Sequence, residues 1–279
     1  MKKYILSFSL FLTLCINVYG QGINYDEYNL VWNDEFGKDG RPDQTKWNYE
    51  YGFERNNELQ WYQPQNAYCE YGLLKIVGKR EQIRNTRYKA DSKDWRHNRE
   101  YANYSSACVI TKNLHTWLYG QFEIKAKIPA VKGSWPAIWF LGAGAVKSWP
   151  LCGEIDLMEY YRIKDVPTIL ANAVWGEHIW NSSYTPMSHF LTKDADWESK
   201  FHVWRMDWTE DYIRLYLDDE LLNEIDVTKT VNPDGYNPFR NPQYMLINLA
   251  IGGDNGGDPS KTIFPISYEI DYVRVYQKK

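Results

Sequence analysis

Three acids fall within six residues in Gly153-Glu154-Ile155-Asp156-Leu157-Met158-Glu159-Tyr160, the densest chemistry in the chain. Strict alternation along an extended strand puts Glu154 and Asp156 on one face and Ile155 and Leu157 in the core, and then sends Glu159 inward. A buried, unpaired glutamate is costly. One extra residue at Leu157-Met158, a β-bulge, returns Glu159 to the face of the other two, and bulges are frequent beside active sites. Three aligned carboxylates repel, so the strand needs a reason to carry them. A salt-bridged or metal-bound cluster is one. Glycoside hydrolysis is the other: a retaining enzyme uses two carboxyls about 5–5.5 Å apart, one as nucleophile and one as acid and then base.

The elements that must position these acids read as strands. In Gly120–Ile128, Phe122, Ile124, Ala126 and Ile128 alternate with Gln121, Glu123, Lys125 and Lys127, the pattern of a half-buried antiparallel strand. From Tyr212 to Leu217, Ile213, Leu215 and Leu217 alternate with Arg214 and Tyr216; Asp218-Asp219 follows, which predicts a hairpin. Tyr268 to Tyr276 alternates again and ties the C-terminal end into a sheet. No long segment repeats with a helical period. The expected fold is all-β, a sandwich of two antiparallel sheets.

Met1-Lys2-Lys3 followed by the apolar run Tyr4–Leu14 and by Val18-Tyr19-Gly20 predicts a signal peptide over residues 1–20 and a single domain over residues 21–279. The run is too short to span a membrane. A lipoprotein anchored through Cys15 is the rival reading, so the expected location is secreted or periplasmic, or else the outer membrane. Without Lys2 and Lys3, 30 basic residues face 36 acidic ones, which argues against a nucleic-acid partner. No metal-ligand spacing links Cys69, Cys108 and Cys152; a Cys69–Cys108 bridge is open in an oxidising compartment. With 13 Trp and 23 Tyr, the chain has more aromatic surface than a core of this size calls for, which suits stacking on the flat faces of sugars.

Glu154-Ile155-Asp156-Leu157-Met158-Glu159 resembles the bulged signature of glycoside hydrolase family 16, the form found in laminarinase-like β-glucanases and agarases. The resemblance runs in order through Leu30–Phe36, Asn56-Asn57-Glu58-Leu59-Gln60, Gly133–Trp139, Asn248–Gly253 and Ile270–Tyr276. It implies a β-jelly roll whose concave sheet forms an open cleft for internal cutting. It also implies that Glu154 is the nucleophile, Asp156 its hydrogen-bonding helper and Glu159 the acid/base, the member expected to stay protonated. By the same resemblance Trp135 and Trp139 flank the sugar sites just before the cut, and Asn57 and Glu58 bind hydroxyls there. Trp175 is expected on the neighbouring strand, facing the groove or packed in the core. Glu35 and Asp271 resemble ligands of a structural calcium that joins the two chain ends. Catalysis itself is expected to need no cofactor.

Two departures bear on substrate. Cys152 precedes the signature where a small polar or aliphatic residue is usual. From Arg80 to Arg99, seven Lys or Arg residues face three acids, in a longer loop than compact members have. That loop is either a solvated excursion or a basic lip over the groove. The expected activity is that of a secreted endo-β-glycosidase, acting as a monomer on β-1,3- or mixed-linkage β-1,3(4)-glucan. Agar-type, porphyran-type or mucin poly-N-acetyllactosamine galactans are the alternative substrates. A carbohydrate-binding sandwich without turnover is disfavoured, because a pure binder gains nothing from the repulsive trio. Transglycosylation stays open.

Overall fold

A computed structural model describes residues 26–144 and 147–279. The expected signal peptide and Cys15 lie outside the described residues. Two antiparallel sheets stack face to face. The seven-stranded sheet runs, from edge to edge, through Ile179–Pro186, Val166–Trp175, Glu154–Ile163, Ser134–Gly142, Gln243–Ile251, Cys108–Ile110 and Asn48–Tyr49. In the eight-stranded sheet Gly120–Lys127 lies between His202–Trp208 and Ile266–Lys278, and Tyr28–Asp34 also pairs with the latter. This is the expected jelly-roll sandwich, few-helixed and strand-rich.

Alternation decides what fills the space between the sheets. Phe122, Ile124, Ala126 and Ile128 point inward, where they meet Ile138, Phe140, Ile155 and Tyr160 from the opposite sheet. The inner residues are almost wholly removed from water, and such burial is worth about 1.5–3 kcal/mol for each large apolar side chain. Strands Tyr212–Leu217 and Glu220–Asp226 form the expected hairpin. Asp218 and Asp219 turn it with φ of 47° and 65°, the left-handed pair that a tight two-residue turn requires.

The three cysteines of the described residues are free and buried. Cys69 packs between the sheets, whereas Cys108 belongs to a separate cluster with Tyr62, Trp139 and Leu246 on the far side of its own sheet, so the Cys69–Cys108 bridge is not formed.

The basic segment after Arg80 is more than a bare solvated loop. It holds a short helix, Trp95–Asn98, and a two-residue strand pair, Ile83–Arg84 with Tyr101–Ala102. Four of its five arginines, all but Arg84, are occupied by the protein. Arg80 donates to the carbonyls of Pro259, Ser260 and Thr262, and Arg87 to those of Tyr51 and Phe53. Arg99 donates to the carbonyls of Asn57 and Glu58 while lying over the rings of Phe53 and Trp95. Arg96 pairs with Asp94. Arg87 and Arg99 together brace the 51–58 loop against one end of the cleft.

Candidate active site

The signature strand carries the bulge where the sequence places it. Asp156 and Glu159 are three residues apart, yet they face Asn172 and Leu170 on one side and Trp139 and Ala137 on the other, which are only two apart. The extra residue sends both Leu157 and Met158 into the core, each with no exposed surface. Glu154, Asp156 and Glu159 consequently line one cleft of about 580 Å³ on the outward face of the seven-stranded sheet.

Each acid has its own hydrogen-bonding environment. Trp149 Nε1 donates to Glu154 Oε2 at 3.0 Å. Trp135 Nε1 and Asn172 Nδ2 donate to the two oxygens of Glu159 at 3.0 and 3.2 Å. Asp156, 2% exposed, hydrogen-bonds Glu154. Burial lifts all three carboxyls, and their mutual repulsion lifts Glu154 and Asp156 further. Glu159 is pushed up to about 7 by burial, against the pull of the Trp135 and Asn172 donors. Burial and the acids on either side raise Asp156 well above the ordinary carboxyl range, and it hydrogen-bonds Glu154. Burial raises Glu159, the member expected to stay protonated, but it raises Glu154 and Asp156 as well.

The floor and one flank are polar and buried. Trp139 Nε1 donates to Asn248 Oδ1 at 2.7 Å, Asn248 Nδ2 to the Tyr62 hydroxyl at 3.0 Å, and Tyr62 hydrogen-bonds Glu58. Burial pushes Glu58 up to about 7, despite the nearby Arg55 and a 2.6 Å hydrogen bond from Gln60. Arg55 lies 4.9 Å from the centre of the Trp139 ring and pairs with both oxygens of Glu50.

Of the sequence-derived substrate residues, Glu58, Trp135 and Trp139 line the cleft. Asn57 does not: Asn56 and Asn57 both have positive φ, so the turn presents Asn56 to the cleft and directs Asn57 Nδ2 to Asp254, 3.0 Å away. Trp175 is also corrected. On its strand Asn172 faces the cleft, so Ala171, Ala173 and Trp175 have the opposite parity, and Trp175 packs edge-on against Phe239 beside the inter-sheet core. Trp135 and Trp139 are only 5% and 7% exposed, which leaves little ring surface for a sugar. The exposed aromatic surface of the cleft belongs instead to Trp149, Trp180 and Tyr184. Asn172, Arg55 and these three aromatics went unnoticed in the sequence. The spacing Trp180, Ser182, Tyr184 was a period-two signal.

Glu35 and Asp271 do not fit the calcium reading. Both Glu35 oxygens accept from Arg274, at 2.8 and 2.9 Å, and Asp271 pairs with Lys125 at 2.7 Å. Each carboxylate is neutralised by its own cation, and among the described residues no group of three or more His, Cys, Asp or Glu side chains could hold a metal.

A jelly roll that sets three coupled carboxyls on a bulged strand, in a cleft walled by indoles and amides, has the architecture of a sandwich-fold glycoside hydrolase. Comparison with known proteins makes this specific. The chain belongs to Glycosyl hydrolases family 16, whose profile matches residues 76–274. It is 32% identical over 268 residues to a beta-glucanase of Rhodothermus marinus, covering 90% of this chain and 85% of that protein. Some relatives are longer: the chain spans 38% of glucan endo-1,3-beta-glucosidase A1 of Niallia circulans, at 33% identity. Among solved structures, the laminarinase catalytic domain of Thermotoga maritima superimposes with a TM-score of 0.74 at 31% identity, covering 91% of this chain and 99% of that one. A structure from work on endo-acting O-glycanases, with which prominent members of the human gut microbiota initiate mucin breakdown, gives 0.82 at 32% identity, covering 91% and 92%. The protein is a glycoside hydrolase. Among the described residues no helix is long and apolar enough to cross a membrane.

Proposed function

We propose that this protein cleaves internal β-linkages of a neutral polysaccharide with retention of configuration, first of all β-1,3- or mixed-linkage β-1,3(4)-glucan. The bulge carries the proposal, because it alone brings Glu154 and Glu159 to the same side of the strand. In the first step Glu159 gives its proton to the glycosidic oxygen as a Glu154 oxygen attacks the anomeric carbon; the C–O bond to the leaving sugar breaks and a glycosyl-enzyme ester forms. In the second, Glu159, now ionised, takes a proton from water, whose oxygen displaces Glu154. Asp156 and Trp149 donate to Glu154, favouring its ionised form and fixing its orientation.

Trp149→Phe tests this directly. Loss of a hydrogen bond to a charged group costs about 1.5–3 kcal/mol, so kcat/KM should fall roughly ten- to hundredfold. Because Trp149 Nε1 lowers the Glu154 pKa, the acidic limb of the pH–rate profile should move to higher pH. An unshifted limb would remove Trp149 from this role. Asp156→Asn, which keeps a donor beside Glu154, should retain more activity than Asp156→Ala.

Neutrality of the substrate is supported by Arg80, Arg87 and Arg99, which are spent on the protein's own carbonyls and rings. Between 50 and 500 mM NaCl, where the Debye length drops about threefold, hydrolysis should hardly change. The higher structural likeness to the O-glycanase structure favours a second reading, mucin-type chains. A panel of laminarin, barley glucan, lichenan, agarose, porphyran and mucin glycans, read by oligosaccharide release, separates the two. Release from mucin glycans with none from laminarin would overturn the glucan reading.

A further inference from the structure

We infer that His178 and Asn232, both outside the lining of the cleft, form a clasp that holds the Trp149 indole on Glu154, and so act as positioning residues for the nucleophile; this rests on the retaining reading above. Trp149 sits on the connection that leads into the signature strand, not on a strand, and it is 48% exposed. A half-exposed side chain on a connection has many conformations open to it. Its 3.0 Å hydrogen bond to Glu154 Oε2 depends on what holds that connection in place.

Register brings the first part of the clasp to the head of the signature. Glu154 faces Val174, and that strand ends at Trp175, so the turn over residues 176–178 lies beside Glu154. Gly176 and His178 take φ of 56° and 63°, and the His178 ring meets the Trp149 indole with centroids 5.0 Å apart and planes at 79°. Edge-to-face packing of this kind is a favoured arrangement of two rings. Asn232 ties the same two segments together. It is 3% exposed and uses both ends of its amide: Nδ2 donates to the Leu151 carbonyl, and Oδ1 accepts from the Gly176 N–H, each at 2.8 Å. Its own backbone is pinned in a turn, the N–H donating to the Tyr236 carbonyl and the carbonyl accepting from Gly235 N–H. Lys147 pairs with Asp234 of that turn. One amide thus links Leu151, two residues after Trp149, to Gly176, two residues before His178. Movement of either segment would leave a buried amide group without a partner, which is costly. Between Trp149 and Glu154 the chain is closed by turns, with Cys152 N–H donating to the Ser148 carbonyl and Gly153 N–H to that of Pro150. The indole therefore moves with a unit fixed on two sides. The charged and titratable groups that face Glu154 are Asp156 and Glu159 on its own strand, the Cys152 thiol and Arg55 of the 51–58 loop, and the clasp alters none of them.

The test is the pH dependence of kcat/KM in the full-length enzyme, on laminarin, or on mucin glycans if the panel selects those. His178→Ala and Asn232→Ala should each lower kcat/KM about three- to tenfold. Each should also move the acidic limb to higher pH, the direction set by Trp149→Phe. His178→Phe, which keeps a ring and carries no charge, should restore both. In a Trp149→Phe background neither alanine variant should move the limb further, because no indole N–H remains to be held. His178 is exposed, so its variants test the clasp even where Asn232→Ala melts early. A limb that stays in place in His178→Ala while Trp149→Phe moves it would overturn the clasp, as would a His178→Phe variant no better than His178→Ala, or shifts that add in the double variants. An unmoved limb in Trp149→Phe would remove the contact and the clasp with it. Product configuration, followed by NMR on the wild type, tests the retaining reading separately: inversion would sink that reading whatever the variants do.

Discussion

Glu154→Ala is expected to lose on the order of 10⁴-fold or more of kcat, and added azide to restore turnover with a product of inverted configuration. The alanine leaves a space beside the anomeric carbon that a small anion can enter, and a single displacement there inverts. Glu159→Ala should behave differently. Its loss should be large on the polysaccharide, where the leaving sugar needs a proton, and small in the first step on a nitrophenyl glycoside, where it does not. The glycosyl-enzyme should then accumulate, because no base remains to activate water. The hydrogen bonds support this division: Glu154 takes donors from Trp149 and Asp156, which favour its anion against the burial and the Glu159 charge that lift it to about 8, while burial keeps Glu159 near 7, where it can both give and take a proton. Near-normal kcat in Glu154→Gln, or equal losses for Glu159→Ala on both substrates, would reverse or remove the assignment.

Much of this was legible because the pattern is local. Period-two alternation fixes which side of a strand a residue takes, and an acid that alternation would bury next to two inward-facing apolar residues calls for a bulge. That inference needed no knowledge of neighbouring strands. The failures share the opposite cause. Trp175 was assigned by its proximity to a cleft strand, but its parity follows from register with the signature strand, which pairs Asn172 with Asp156. Asn57 and Asn56 are indistinguishable in sequence, and two successive left-handed residues decide which one turns to the cleft. Arg80, Arg87 and Arg99 read as free charge because their acceptors are backbone carbonyls, up to 182 positions away in the case of Arg80 and Thr262. A carbonyl leaves no trace in residue type. Glu35 and Asp271 illustrate the same point with sign reversed: acids at the two chain ends suggested a cation, and Arg274 and Lys125 supply it.

The carboxyl cluster should also be visible in stability, with the reverse of the usual acid dependence. Glu159 and Glu58 are lifted to about 7 from an ordinary 4.5, and Asp156 and Glu154 are lifted as well, mainly by burial. Below about pH 4.5 these groups are protonated in both folded and unfolded chains, and their contribution to folding is complete. As pH rises, the unfolded chain releases protons that the folded protein still holds, so stability falls through this window and is lost once pH passes the folded pKa values. Glu159→Gln removes one such group. Its oxygen can accept from Trp135 as before, and its amide can donate to Asn172 Oδ1, which has no donor in the wild type, once the Asn172 amide turns over. At pH 8 the variant should be more stable by about 3 kcal/mol, roughly 6–12 °C in melting temperature for a chain of this size. The difference should shrink toward zero near pH 4. Calorimetric melts of both proteins across pH 4–8 measure it, and a constant difference, or a variant that melts lower at pH 8, would show that the Glu159 carboxyl is not held protonated by burial.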